Sequence, residues 1–173
     1  MKKIYSLLLL MFLVSCQEIE PRHPINKKEV SYITSSAKHN KNLFIQEEHL
    51  LNLAAKEDSS NIYKKAPSGY LFAYINKSSD YFKSPQKGEL VSFEYSIETL
   101  QKELLYNKKE LGIVNYRIDQ EDLLPALREG LRIMKANEVV VFLFPSYLCY
   151  SYQGDGYKIG INQPLRFTIE RLY

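Results

Sequence analysis

The segment DLLPALREGLRIM, residues 122–134, predicts a short amphipathic helix within a region otherwise patterned for strands. Its apolar residues fall on one helical face: Leu123, Leu124, Leu127, Leu131 and Met134. Pro125 is tolerated in a first helical turn, and Asp122 is placed where it could cap the helix. Because only one face is apolar, this helix has to cover the hydrophobic face of another element.

Four segments around this helix are patterned as β-strands. Apolar residues alternate with their neighbours over 70–75, 91–97 and 165–169, and 139–144 is a continuous apolar run that ends at Pro145. One short helix among strands predicts an α+β fold in which an antiparallel sheet wraps on the helix.

The residue inventory excludes several kinds of site. The three histidines, His23, His39 and His49, all precede residue 60, so the strand-rich region has no histidine for a nucleophilic triad or a metal. With only two cysteines in the chain, we expect no metal site and no cofactor. The formal charge of +3 falls to +1 without Lys2 and Lys3, which gives no electrostatic footprint for nucleic acid.

The first sixteen residues are patterned as a secretion signal. Lys2 and Lys3 precede an apolar run over 4–14, which is too short to span a bilayer, and residues 13–16 read LVSC. This ending resembles the lipobox of bacterial lipoproteins, which implies a signal peptide over 1–15 and a lipid on Cys16. An ordinary signal peptide with an incidental cysteine is the alternative.

Lipidation would place the protein in the cell envelope, anchored to a membrane through Cys16. A lipidated Cys16 cannot form a disulfide, so Cys149 would be a lone thiol in an oxidising compartment. We therefore expect Cys149 to be buried.

The part of the chain between the signal and the strands divides in two. Residues 16–41 are polar, with Pro21 and Pro24, and predict a tether. Residues 42–66 predict a helical extension, because apolar residues recur at helical spacing at Leu43, Phe44, Leu50, Leu51 and Ala54. We expect Glu47 to lie on the opposite, polar face, and the helix to pack on its own domain, residues 67–173; homodimerisation through 43–54 is the alternative.

The motifs that follow carry a family resemblance. The helix segment, Met134-Lys135 and the stretch FPSYLCY at 144–150 resemble the helix-strand-loop core of FKBP-type peptidyl-prolyl cis-trans isomerases. The spacing continues through the glycine-rich segment 153–156 to Phe167, so that the resemblance covers 88–171. Together with the LVSC ending, the chain is similar to lipoprotein members of this family associated with gliding motility.

The resemblance implies a site for proline-containing polypeptide segments. Carried over position by position, the apolar trough would be lined by Tyr95, Leu105, Leu123, Leu124, Leu127, Tyr150, Ile159 and Phe167. The Leu124 backbone N–H and the Tyr150 hydroxyl would donate hydrogen bonds to the bound carbonyl. Rotation about a prolyl bond needs neither a nucleophile nor proton transfer, which agrees with the missing histidine.

Several positions depart from the family pattern. Leu127 stands in place of a tryptophan, Tyr106 in place of an aspartate, Ser151 in place of a glycine, and Gly160-Ile161 in place of two prolines. The resemblance implies an enzyme. The altered positions favour the alternative of a non-catalytic FKBP-like chaperone or interaction module.

Overall fold

The computed structural model describes residues 27–78 and 83–173, with side chains from residue 34 onward. The predicted signal peptide and Cys16 lie outside these residues. The chain divides into two units between Ala37 and Lys38, and the sheet and the candidate site belong to the unit Lys38–Tyr173.

Three helices and seven strands follow one another along the described chain. They are α1 (Lys27–Glu57), β1 (Lys64–Lys65), β2 (Leu71–Asn76), β3 (Leu90–Thr99), β4 (Leu104–Tyr106), α2 (Lys108–Leu111), β5 (Val114–Arg117), α3 (Pro125–Ile133), β6 (Val139–Phe144) and β7 (Leu165–Arg171). A 3₁₀ turn, Ser146–Leu148, follows β6.

All seven strands join one antiparallel sheet. The strand order is β1-β2-β6-β7-β3-β4, and β5 pairs with the first half of β3. Phe167 at the centre of β7 lies between Phe142 of β6 and Ile97 of β3. The predicted α+β fold, a sheet wrapped on a short helix, is therefore confirmed.

Helix α3 packs against the inner face of the sheet through Ala126, Leu127, Gly130 and Leu131. A Cβ on Gly130 would lie 3.1 Å from Ile169 Cδ1 and 3.2 Å from a Phe142 ring atom, so glycine at this position permits the close approach of helix and sheet. The main core fills the space between them.

The prediction that Asp122 caps α3 is wrong. Leu124 is the N-cap residue of α3, with φ −49° and ψ 129°, and no side chain caps the helix. A residue before proline is confined to extended backbone, so Pro125 fixes the helix start at its own position. Asp122 lies two residues too far upstream.

Helix α1 covers part of the opposite face of the sheet. Leu51 and Ala54 form a second apolar cluster with Leu71, Leu100 and Leu143. The predicted packing of this helix on its own domain is thus observed.

The bounds of α1 differ from the expected tether and extension. The helix begins at Lys27, inside the predicted tether, and ends at Glu57, after which the chain turns into β1. Residues 27–41 are polar but contain no glycine or proline, so they can be helical without showing an apolar stripe.

Cys149 is buried, as predicted, and forms no disulfide. Burial, with the nearby charge of Glu47, raises the pKa of this thiol far above its ordinary value.

None of the helices in residues 27–78 and 83–173 has the length and apolar character needed to cross a membrane.

Candidate active site

The eight predicted trough residues all belong to the main hydrophobic core or pack against it, and three of them lie at the start of α3. They come from β3, β4, β7, the start of α3 and the segment between the 3₁₀ turn and β7. Leu127, Ile159 and Phe167 are buried, and the other five are partly exposed: Tyr95, Leu105, Leu123, Leu124 and Tyr150. The eight residues thus combine a buried part, formed by the three core residues, with a part that solvent reaches.

Aromatic rings form the base of this cluster. The rings of Tyr95 and Phe167 are stacked, with centroids 6.0 Å apart and planes 7° apart. Phe144 meets Phe167 edge-on at a centroid distance of 5.5 Å. Offset-stacked and edge-on contacts are the arrangements that aromatic pairs prefer, so these three rings form a well-packed aromatic surface.

Leu127 occupies the position at which the family pattern has tryptophan. Its side chain is 2% exposed, and it packs within the main core on α3. The leucine therefore supplies an apolar surface at this position but no aromatic face.

Two hydrogen-bond donors border the cluster. Across the part of the chain that the structure describes, neither the Leu124 N–H nor the Tyr150 hydroxyl has a hydrogen-bond partner. Leu124 is at the N terminus of α3, where backbone N–H groups lack partners in the helix. Both groups are thus available to a bound carbonyl.

The Tyr150 hydroxyl stays protonated at neutral pH. Burial, together with the neighbouring Tyr95 and Asp155, raises the pKa of Tyr150 to about 12. Burial also raises the pKa of Tyr95. Because these hydroxyls keep their protons, they can act as donors.

Asp155 organises the loop that carries Ile159. Its Oδ1 accepts hydrogen bonds from the backbone N–H groups of Tyr157, at 2.8 Å, and Ile159, at 2.7 Å. The Asp155 N–H donates to the Ile159 carbonyl at 3.1 Å, which closes the loop. Burial alone would raise the pKa of Asp155, but these bonds and that from Tyr106 lower it, so the carboxylate stays ionised.

Tyr106 joins this loop to β4. Its hydroxyl donates a hydrogen bond to Asp155 Oδ2, and this bond, followed by burial, raises the pKa of Tyr106 to about 12. Lys158 Nζ donates to the Leu105 carbonyl at 2.8 Å and lies 4.5 Å from the Tyr106 ring centroid. Tyr106, which stands in place of an aspartate, is thus hydrogen-bonded to a carboxylate of the facing loop.

Asp155 is not among the site residues that the family resemblance implies. The signal was the Gly154-Asp155-Gly156 stretch, because aspartate between glycines is typical of a turn held by its own side chain. Gly154 and Gly156 both have positive φ, +65° and +75°.

Ser151, which stands in place of a glycine in the family pattern, has a backbone conformation that favours glycine. Its φ is +51°, in the left-handed region that side chains other than those of Asn and Asp rarely adopt. Backbone hydrogen bonds on both sides hold it there: Ser151 N–H donates to Ser146 O at 2.9 Å, and Asn162 N–H donates to Ser151 O at 2.7 Å.

Comparisons with known proteins agree with this geometry. The family model for FKBP-type peptidyl-prolyl cis-trans isomerases matches residues 82–172, just over half of the chain. A probable FKBP-type peptidyl-prolyl cis-trans isomerase FkpA of Neisseria meningitidis serogroup B is 32% identical over 89 residues. That match covers 51% of this chain and 32% of the relative, so the chain matches about a third of the relative's length.

Solved structures show the same fold. The crystal structure of FkpA from Escherichia coli superposes with a TM-score of 0.60 at 17% identity, covering 99% of this chain and 80% of that one. A peptidyl-prolyl cis-trans isomerase from Pseudomonas syringae pv. tomato also gives 0.60, at 16% identity, covering 77% and 93% of the two chains. With the family match over the residues that build the trough, the chain belongs to the FKBP-type peptidyl-prolyl cis-trans isomerase family.

Proposed function

We propose that this protein catalyses cis-trans isomerisation of peptidyl-prolyl bonds in polypeptide segments. The observation that carries the proposal is an apolar cluster with a buried aromatic base, bordered by the Leu124 N–H and the Tyr150 hydroxyl. The site has no histidine, and this reaction requires none.

An apolar site can accelerate rotation about a prolyl bond. A prolyl bond turns slowly because the amide loses resonance over a barrier of roughly 18–20 kcal/mol. The proline ring would lie on the base formed by Phe167 and Leu127, away from water. A twisted amide has less charge separation than a planar one, so an apolar surrounding favours the twisted form relative to water. The two donors would hold the carbonyl while the bond turns.

The main alternative is a chaperone or interaction module that binds apolar segments without isomerising them. Leu127 favours it, because a leucine offers a proline ring less contact than the family's tryptophan. The intact loop and both donors favour the enzyme.

The experiment is a cis-to-trans conversion assay on an X-Pro reporter peptide. We expect the full-length chain to accelerate conversion and the folded Tyr150→Ala variant to lose at least about tenfold in kcat/KM, the equivalent of one strong interaction in the transition state. Tyr173→Ala is the matched control, since Tyr173 is 72% exposed at the chain end. A folded parent without acceleration would favour the chaperone.

We also propose that Cys16 anchors the protein to a membrane of the cell envelope, where it assists folding or assembly of envelope or gliding-motility proteins. The LVSC ending after a short apolar run supports this proposal. Mass spectrometry of the mature protein should show an N-terminal Cys16 carrying a diacylglycerol. An unmodified N terminus, or cleavage at another residue, would contradict the anchor.

A further inference from the structure

A buried carboxylate precedes the region matched to the family. Glu47 of α1 is 3% exposed, although the helical pattern predicted it on the polar face; that prediction is wrong. Its two oxygens accept hydrogen bonds from one residue, Ser146: from the backbone N–H at 2.8 Å and from the hydroxyl at 2.5 Å. Burying a carboxylate is costly unless hydrogen bonds satisfy it, so this contact has to be well made.

Ser146 anchors the loop that carries Tyr150 and Ile159 through hydrogen bonds to its carbonyl. It is 2% exposed and begins the 3₁₀ turn after β6. Its carbonyl accepts from the N–H groups of Cys149 and Ser151, both at 2.9 Å, and Ser151 O in turn accepts from Asn162 N–H at 2.7 Å. These bonds bracket Tyr150 and join the two ends of the loop that carries Ile159.

Helix α1 is fixed independently of this contact. Leu51 and Ala54 pack on the outer face of the sheet, and Asp58 at the end of the helix pairs with Arg166 of β7 at 2.9 Å. Because these contacts hold α1 on the sheet, the position of Glu47 does not depend on Ser146. Glu47 can therefore fix Ser146 through its two hydrogen bonds.

We propose that Glu47 is a positioning residue for the site: it fixes Ser146, and through Ser146 and Ser151 it sets the Tyr150 hydroxyl and the adjoining loop. The catalytic function of that hydroxyl rests on the proposed isomerase activity; the positioning itself does not. The working site then extends back into α1, ahead of the region over which the family model matches.

Amide hydrogen exchange in the full-length chain, purified in detergent, tests the positioning directly. In Glu47→Ala the Ser151 and Asn162 amides should exchange at least about tenfold faster than in the parent, because their hydrogen bonds depend on Ser146. Glu47→Gln should restore most of the protection. Its amide oxygen can accept from the Ser146 N–H while its NH₂ donates to the serine hydroxyl.

Leu51→Ala is the matched control. It weakens the docking of α1 on the sheet but leaves the two Glu47–Ser146 hydrogen bonds in place, so it should lower the melting temperature but leave the two amides protected in the folded protein. Unchanged exchange in Glu47→Ala, or equal acceleration in Leu51→Ala, would overturn the proposal.

The kinetic prediction follows the same pattern. Per folded molecule, Glu47→Ala should lose about tenfold in kcat/KM, Glu47→Gln should recover most of it, and Leu51→Ala should match the parent. Full activity of Glu47→Ala would also overturn the proposal. If the parent itself is inactive, the proposed isomerase function fails, and the exchange result alone decides whether Glu47 positions the loop.

Discussion

Replacing Asp58 by alanine should lower the free energy of unfolding by about 3 kcal/mol, because it removes one member of a buried ion pair. Asp58 is 2% exposed and accepts hydrogen bonds from four side chains: Asn61 at 2.9 Å, Tyr63 at 2.8 Å, Lys102 at 3.0 Å and Arg166 at 2.9 Å. Without the carboxylate, Arg166, itself 7% exposed, keeps only Glu98 at 3.3 Å as an ion-pair partner among the described residues. This remaining pair keeps the expected loss at the lower end of the range for broken buried pairs.

The loss should be measured by urea unfolding beside Glu48→Ala. Glu48 also pairs with a lysine, Lys65, but both side chains are about half exposed, so its removal should cost well under about 1 kcal/mol. Equal stabilities of the two variants would show that the Asp58 network does not stabilise the fold.

The same network predicts a pH dependence. Burial alone would raise the pKa of Asp58, but the hydrogen bonds from its four partners outweigh burial and hold the pKa well below 3.8. A carboxyl whose pKa is lower in the folded state stabilises the fold above its unfolded pKa of about 3.9, and the contribution is lost as pH falls toward the folded pKa. The stability difference between parent and Asp58→Ala should therefore be constant near neutral pH and shrink below about pH 4.

Replacing Gly154 by alanine should lower kcat/KM for prolyl isomerisation by at least about tenfold, the effect expected when site groups are displaced by an ångström. A Cβ at this position would lie 2.4 Å from the Ile159 carbonyl oxygen, a distance that forces the backbone to move. The same carbonyl accepts the Asp155 N–H, so the displacement opens the loop that places Ile159 in the trough.

Gly156→Ala is the matched control for this experiment. Both glycines have positive φ, +65° and +75°, but nothing lies within 4 Å of a Cβ at Gly156. Both variants carry the conformational cost of about 1–2 kcal/mol for a side chain in the left-handed region, and only Gly154→Ala adds the clash. If the two variants had equal activity, the loop geometry would not matter to catalysis.

The sheet and α3 could be predicted because their sequence patterns are local. Alternation in β3 and β7 and the apolar face of α3 each reflect which side of one element is buried. The shorter elements β4 and β5 were not predicted, since three or four residues are too few to show a period. β4 is placed by hairpin pairing with the end of β3, whereas β5 pairs with the start of β3, a contact between more distant parts of the chain.

The polar supports of the candidate site could not be predicted from the sequence alone. The eight trough residues came from the family resemblance, and the structure places all eight within or against the main hydrophobic core; their role as a site stays a prediction. Glu47 and Asp155 were missed as supports because their roles depend on groups far away in sequence, Ser146 and Tyr106. From an amphipathic pattern alone, one cannot tell that a serine distant in sequence will donate hydrogen bonds to one of the charged side chains.

The most direct test of the proposed activity is exchange NMR on an X-Pro peptide at equilibrium, with a catalytic amount of the full-length chain. We expect exchange cross-peaks between the cis and trans resonances that are absent without the protein and are lost with folded Tyr150→Ala. Chemical-shift changes that show peptide binding, without any exchange between the cis and trans forms, would contradict catalysis and identify a binding module.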